Sequence, residues 1–351
     1  MNLDLISGAS IAAVTSLVVC RALIASGPVD APNAPRKAHR APTPTSGGLA
    51  IAFGFSVGLA ALAFFSHAVR EDMSARGVGL LTFSVSFAYA FLIVGFIDDA
   101  HPLSARLKLV LFSVLGLGAA ATVGVVTDIP IADGVTLRLP LWLGLIGTAL
   151  WIFTMVNCVN FMDGANGLAM GATAIGMGAL GFIASAGGSG AGAAIGFCVL
   201  GALIGFLFWN FPRGKLFAGD SGALFIGALA ALSSVLAVHR IGLSPIVPVI
   251  VFFPLLSDAL LTLAWRAIRR RSLFDGHSEH IYQIAIHGGM SHAEVASIYW
   301  AASIFCAAIG YVAAKEGGAA PAIALASLSI AAVVVSTIVR RFAGRSGVSG
   351  V

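Results

Sequence analysis

The segment LWLGLIGTALWIFTMVNCVNFMDGANGLAMG, residues 141–171, decides the fold. Its first part, 141–159, is an apolar run close to the length of about 20 residues that a helix needs to cross the hydrocarbon of a bilayer. Its second part sets Asn157, Asn160, Asp163 and Asn166 between apolar sequence on both sides. The last three recur at intervals that would put them on one side of a helix. Gly164 and Gly167 argue instead for a broken helix, and broken backbone at membrane depth is tolerated only against protein or a watery cavity. Capping and turn formation can use one or two such groups; they do not need this many.

Outward from this segment the same apolar character continues. The chain has 351 residues, 58% hydrophobic and 10% charged, where a soluble domain carries about 25% charged residues. Its solvent is therefore largely lipid. The expected fold is all-α: a polytopic membrane helix bundle forming one integral domain over 1–351. Eleven apolar runs are long enough to span: 5–25, 47–67, 78–97, 107–127, 141–159, 166–185, 191–209, 216–238, 243–265, 294–314 and 319–339. Only GGSG, 187–190, separates the sixth from the seventh. The first lacks a basic leader and a cleavage site, so it reads as a retained helix. Abundant Gly and Ala suits close helix packing in lipid. Cys20, Cys158, Cys198 and Cys306 show no metal-ligand spacing and read as small buried hydrophobes.

Lysine and arginine set the expected orientation. Fifteen of the twenty lie in the odd-numbered loops, the C-terminal tail or the end of the first span. The N-terminus is thus expected outside, with the odd loops and the C-terminus in the cytoplasm. The same odd loops hold the chemistry: PRKAHRAPTPTSGG (35–48), DDAHPLSARLK (98–108), the amide-rich turn after 157, NFPRGKLFAGDSG (210–222) and RAIRRRSLFDGHSEHIYQIAIHGG (266–289). Ionisable groups at membrane depth are functional candidates by default.

Asp98 and Asp99 repel one another and attract a cation or a basic partner, although a helix end meeting water would account for the pair alone. Asp220, between glycines in FAGDSG, is either a helix N-cap or an oxygen ligand beside a helix N-terminus able to receive phosphate. Arg269, Arg270 and Arg271 suit membrane anchoring or phosphate. His277 and His280 in GHSEH lack a third donor at zinc spacing. Asp258 reads as a partner within the bundle or as a proton relay. His101, His239, His287 and His292 read as ordinary loop or turn residues. Together the inner face offers carboxylates for a hard cation, and Lys108 and arginines for phosphates. Magnesium commonly uses one or two carboxylates plus substrate phosphates, and phosphoryl transfer depends mainly on positioning and charge neutralisation.

The order DD, NxxDGxNG, GDSG and a late histidine-containing loop resembles the polyprenyl-phosphate N-acetylhexosamine-1-phosphate transferases, which include the phospho-N-acetylmuramoyl-pentapeptide transferase of peptidoglycan synthesis. The resemblance covers roughly 36–300. It implies attack of a polyprenyl phosphate oxygen on the β-phosphorus of a UDP-amino sugar, giving polyprenyl-diphospho-sugar and UMP. It implies Mg2+, with Mn2+ as a substitute, and a bacterial inner membrane with a cytoplasmic site. By the same resemblance, Asp98, Asp99 and Asp163 are catalytic. Lys108, Asn160, Asn166, Arg269, Arg270, Arg271, His277 and His280 bind substrate, and Asp220 with Asn160 holds the metal. Asn166 stands where many relatives have aspartate, Thr45 where many have arginine and Ser46 where many have glycine. GHSEHIYQ replaces the adjacent histidines of the muramoyl-pentapeptide branch, which favours initiation of O-antigen, capsule or another surface glycan. The expected partners are the UDP-amino sugar, the polyprenyl phosphate and membrane lipid, with a homodimer left open and no nucleic acid. The muramoyl-pentapeptide reaction and, from another class, a transporter of an anionic solute are the alternatives. Against the transporter stand the one-sided polar groups and the lack of a visible repeat.

Overall fold

The computed structural model describes residues 3–26, 29–30, 43–75, 78–272 and 277–345. Arg36, Lys37, His39 and Arg40 of the first inner loop lie outside the described residues.

The chain is a bundle of helices, as its apolar runs require. In order they are α1 (Leu3–Ser26), α2 (Gly47–Phe65), α3 (His67–Ala75), α4 (Val78–Ala100), α5 (Ala105–Val123), α6 (Leu141–Met162), α7 (Leu168–Ala186), α8 (Gly190–Asn210), α9 (Gly219–Ile241), α10 (Ile246–Val251), α11 (Phe253–Ile268), α12 (Ile281–His287), α13 (His292–Glu316) and α14 (Ala320–Arg345). Two short antiparallel pairs join them: β1 (Val29–Asp30) with β2 (Thr43–Pro44), and β3 (Asp128–Ala132) with β4 (Val135–Arg138). Among the described residues, ten helices are long and apolar enough to cross a membrane. They coincide with ten of the eleven expected spans. The remaining run, 243–265, is helical but broken into α10 and α11, where Pro254 lies in the first turn of the second piece. Proline has no amide hydrogen to continue the ladder, and it is favoured at a helix start.

The described chain is thus a multi-pass membrane protein built around α9. That helix is buried along almost its whole length and packs against α2, α4, α6 and α7. α14 lies at the other extreme, with only Pro321, Arg340 and Ala343 buried. Lipid tails are as apolar as leucine, so helices associate here through close van der Waals contact between small residues. Gly95 of α4 is the clearest case for the site: a Cβ there would stand 2.5 Å from the carbonyl oxygen of Asp220. Polar side chains close the helix ends. Ser104, Ser189 and Ser291 accept hydrogen bonds from the first turns of α5, α8 and α13.

The end of the molecule carrying the even loops is less plain than its sequence suggests. Asp72 of α3 accepts from the amide of Ala191 at 2.9 Å and from Ser189 Oγ at 3.2 Å, closing the start of α8, and it faces Arg240 at 3.8 Å.

Candidate active site

At the opposite end, the carboxylates singled out in the sequence come together. α4 passes α9 so closely at Gly95 that Asp99, one turn further on, meets the first amides of α9. Asp99 Oδ1 accepts from Asp220 N at 2.8 Å and Oδ2 from Ser221 N at 3.0 Å. The residue at the cap position of α9 is Ala218, which has no side chain to offer. Asp99 therefore supplies the cap from another helix, where the dipole also favours negative charge. This frees Asp220, in the first turn, from capping duty. The FAG stretch before α9, 217–219, is held from the other side by the segment that leads into α2: Phe217 N donates to Pro44 O, Gly47 N to Phe217 O and Gly48 N to Ala218 O, each at 2.9 Å. Gly219, with φ +70°, lies against Thr45 O and the Asp99 carboxylate.

Asp98 points the other way. Its Oδ1 accepts from Leu103 N at 2.7 Å, fixing the turn into α5, and its Oδ2 pairs with Lys108 Nζ. Lys108 also reaches Asp220 Oδ2 at 3.3 Å. One ammonium group therefore serves two carboxylates.

Asp163 ends α6 in the turn that the two glycines foretold, between Met162 and Leu168. Burial, with the Asp220 and Asp99 carboxylates near it, pushes the Asp163 pKa well above the ordinary carboxylate range. Asn160, in the last turn of α6, accepts from Asp163 N through its carbonyl at 3.2 Å, and its side chain is half-buried. Asn166 is tied into the turn: its Nδ2 donates to Pro212 O at 3.0 Å and its amide to His292 Nδ1 at 3.2 Å. Gly167 adopts φ +77°, a left-handed conformation that glycine takes without a steric cost. Its amide donates to Asn210 Oδ1 at 2.6 Å and its carbonyl accepts from Trp300 Nε1 at 2.9 Å.

A second polar cluster adjoins the first. Asp258 of α11 accepts from Ile281 N at 2.8 Å, Tyr282 N at 3.2 Å, Tyr299 Oη at 2.5 Å and Thr262 Oγ1 at 3.2 Å. It caps α12, as Asp99 caps α9. Of the two roles read for it in the sequence, the structure shows pairing within the bundle. His280 Nδ1 lies 3.6 Å from Asp258 Oδ1. Arg266 and Arg271 both bind Glu279, the latter at 2.6 Å. Burial raises the Glu279 pKa, but these two guanidiniums outweigh it and hold the carboxyl below its usual range. Burial, aided by His280 and Arg266, pulls His277 down to about 4, so its ring is neutral at physiological pH. Tyr282 joins the clusters, donating to Phe161 O at 3.1 Å and packing on Gly164, while the His280 ring lies 6.1 Å from Phe161.

The structure thus gathers Asp98, Asp99, Lys108, Asp163 and Asp220, with Asn160 and Asn166 in the adjoining turn, and places His277 and His280 in the Asp258 cluster, where the His280 ring faces Phe161. Arg269 and Arg271 stack over Trp265 at 4.8 Å each, and Arg269 and Arg270 are exposed. Asn210, Tyr282, Tyr299, Trp300, Arg266 and Glu279 were not singled out, and His292 was read as a plain turn residue. Most of them act by holding backbone, a role that leaves no pattern in sequence; Asn210, an amide ending an apolar run, was the one visible hint.

Among the described residues no three acidic, histidine or cysteine side chains form a ready-made metal cage. The donor set still fits a hard cation. Lys108 serves two of the four carboxylates, and burial together with the Asp220 and Asp99 carboxylates pushes Asp163 toward its protonated form. A site that takes one or two carboxylates and completes its ligands from substrate phosphates needs no closed cage.

Comparison with known proteins agrees with this arrangement. The model of glycosyl transferase family 4 matches residues 78–238, the stretch that holds Asp98 through Asp220. A probable undecaprenyl-phosphate N-acetylglucosaminyl 1-phosphate transferase of Bacillus subtilis is 30% identical over 292 residues, 82% of this chain and 78% of its own length. A decaprenyl-phosphate N-acetylglucosaminephosphotransferase of Mycobacterium tuberculosis is 32% identical over 290 residues, 76% of this chain and 70% of its own. A phospho-N-acetylmuramoyl-pentapeptide-transferase of Desulforamulus reducens is 28% identical over 288 residues, 78% and 83% of the two chains. With acids from α4, α6 and α9 meeting at one end of a membrane bundle, and with relatives of this identity along most of their length, the chain belongs to glycosyl transferase family 4.

Proposed function

We propose that this protein transfers an N-acetylamino-sugar 1-phosphate from a UDP donor to a polyprenyl phosphate in the membrane, releasing UMP at the cytoplasmic face. The observation that carries the reading is the under-neutralised carboxylate cluster, Asp98, Asp99, Asp163 and Asp220 around Lys108, at the membrane end where the arginine-rich segment 266–271 also lies. Two of the relatives named above carry names that join a polyprenyl phosphate to an N-acetylglucosamine phosphate.

The chemistry is one displacement. An oxygen of the lipid phosphate attacks the β-phosphorus of the donor. The bond from that phosphorus to the bridging oxygen breaks, and UMP leaves with the electron pair. A phosphate monoester near neutral pH already carries about 1.5 to 2 negative charges, so the nucleophile needs no strong base. Asp99 is spent on the α9 amides and acts by positioning. It holds the start of α9, and with it Asp220, against α4. Asp220, Asp163 and Asn160 would hold Mg2+, which when bound supplies charge neutralisation to the donor diphosphate. Lys108, which balances Asp98 and Asp220, is placed to turn its ammonium toward a phosphate. Arg269 and Arg270, exposed at the end of α11, offer cations that suit phosphate oxygens. His280, packed against neutral His277, lines the side facing Phe161.

The test is release of UMP by purified protein in detergent, given Mg2+, a short polyprenyl phosphate and a panel of UDP-N-acetylhexosamines. Lipid-dependent UMP release from one donor supports the reading and identifies the sugar; a UDP-muramoyl-pentapeptide in the panel separates the peptidoglycan branch. No release from any donor rejects it.

A further inference from the structure

The last helix contributes an arginine to the second polar cluster. Arg340 is only 5% exposed, on a helix whose other buried residues are Pro321 and Ala343. Burying a cation on a helix that otherwise faces lipid is costly and calls for a specific partner. Arg340 has two. Its Nη2 donates to Thr262 Oγ1 at 2.9 Å, and Thr262 donates to Asp258, the residue that caps α12. Its guanidinium also lies 4.6 Å over the Trp265 ring, which carries Arg269 and Arg271 at 4.8 Å each. An indole has two faces. With three guanidiniums around it, the place of one restricts the other two, and Arg340 is the one anchored in a helix.

We infer that Arg340 is a positioning residue for Arg269, Arg271 and the start of α12. It fixes the Trp265 ring and the Asp258 cap together, and so sets where the two arginines stand and where α12 begins. The inference rests on the proposed function in one respect: that these arginines meet the donor's phosphates. The coupling itself, from α14 through Trp265 to the arginines and through Thr262 to α12, is independent of that reading.

Two measurements test it. The first is kinetic. Arg340→Ala should raise the donor KM about tenfold, in the range of lost supporting contacts, with kcat and the polyprenyl phosphate KM within about twofold. Arg340→Lys should recover only part, because lysine keeps the charge but loses the planar fork and the stacking. Trp265→Phe should raise the same parameter less, and combining it with Arg340→Ala should add little, as expected of residues acting through one contact. The second needs no turnover. Trypsin should nick the Arg340→Ala protein at 269–271 several times faster than wild type, at unchanged melting temperature. Unchanged donor KM and unchanged cleavage in Arg340→Ala overturn the inference. If that variant fails to fold, Trp265→Phe decides: a donor KM and cleavage rate equal to wild type overturn it. If wild type releases no UMP, the proposed function falls alone, and the cleavage rates still judge Arg340.

Discussion

Two aspartates in this molecule do the same structural job in opposite electrostatic settings. Asp99 caps α9 and Asp258 caps α12, each with both carboxylate oxygens on successive amides. Around Asp258 cations outnumber acids: Arg266, Arg271 and Arg340 stand near Glu279 and Asp258 itself, and Tyr299 and Thr262 donate to Asp258. Around Asp99 they do not. Asp98 and Asp220 share Lys108, and Asp163 lies near the Asp220 and Asp99 carboxylates. The difference separates a cluster in which guanidiniums answer the carboxylates from one in which carboxylates outnumber cations. It accords with the observation that proteins keep strained or unbalanced groups where function needs them and lose stability there.

The sharpest way to break this comparison is to neutralise one acid in each cluster. Asp220→Asn should cut UMP release by about 10³-fold, or about 4 kcal/mol of barrier, while the metal-free protein melts no lower than wild type, because one of the crowded charges has gone. Asp258→Asn should do the reverse. It should destabilise the fold by about 3 kcal/mol, the cost of spoiling a buried charged network, and the protein that still folds should keep its kcat while its donor KM rises, as for Arg340→Ala. Equal melting losses in the two variants would remove the distinction. Asp99→Asn should fall between them, with activity down about 10²-fold through misplacement of Asp220 and stability down about 1 kcal/mol from the weakened cap. A variant with full activity would show that α9 holds its place without Asp99.

The smallest effect concerns pH. The Asp163 pKa is raised in the folded state from 3.8. Its contribution to stability is therefore greatest below that value and is lost as pH rises through the raised one. A cation that displaces the proton should reverse the loss. Melting in Mg2+ minus melting in chelator should thus be a few degrees larger at pH 8 than at pH 5.5. A gap independent of pH would mean that magnesium, if it binds, does not meet Asp163.

How much of this was legible in the sequence follows from the same physics. Spans were readable because lipid demands long uninterrupted apolar runs. Even 166–185 and 191–209, parted only by GGSG, became α7 and α8. The break within 243–265 was not foreseen, since a proline inside an apolar run leaves hydropathy unchanged while moving the helix start. The acids that meet were visible because charge is conspicuous against lipid. What each acid does was not. For Asp99 the resemblance implies a catalytic role, and nothing in the sequence shows that its side chain also serves the first turn of α9, a partner 121 residues away along the chain. The even loops read as plain because short polar segments carry no period, yet Asp72 there closes the start of α8. Arg340 was counted only as an anchoring charge; its stacking on Trp265 depends on how α14 docks, which no local pattern encodes.

The cap that Asp99 lends to α9 has a consequence for biogenesis. Helices enter the membrane in chain order, so α4 and α6 are in place well before α9 exists. Until α9 arrives, the acids of α4 and α6 have neither Asp220 nor the amides that orient Asp99. A half-inserted chain therefore cannot assemble the pocket, and nucleotide binding can serve as a reporter of completed insertion.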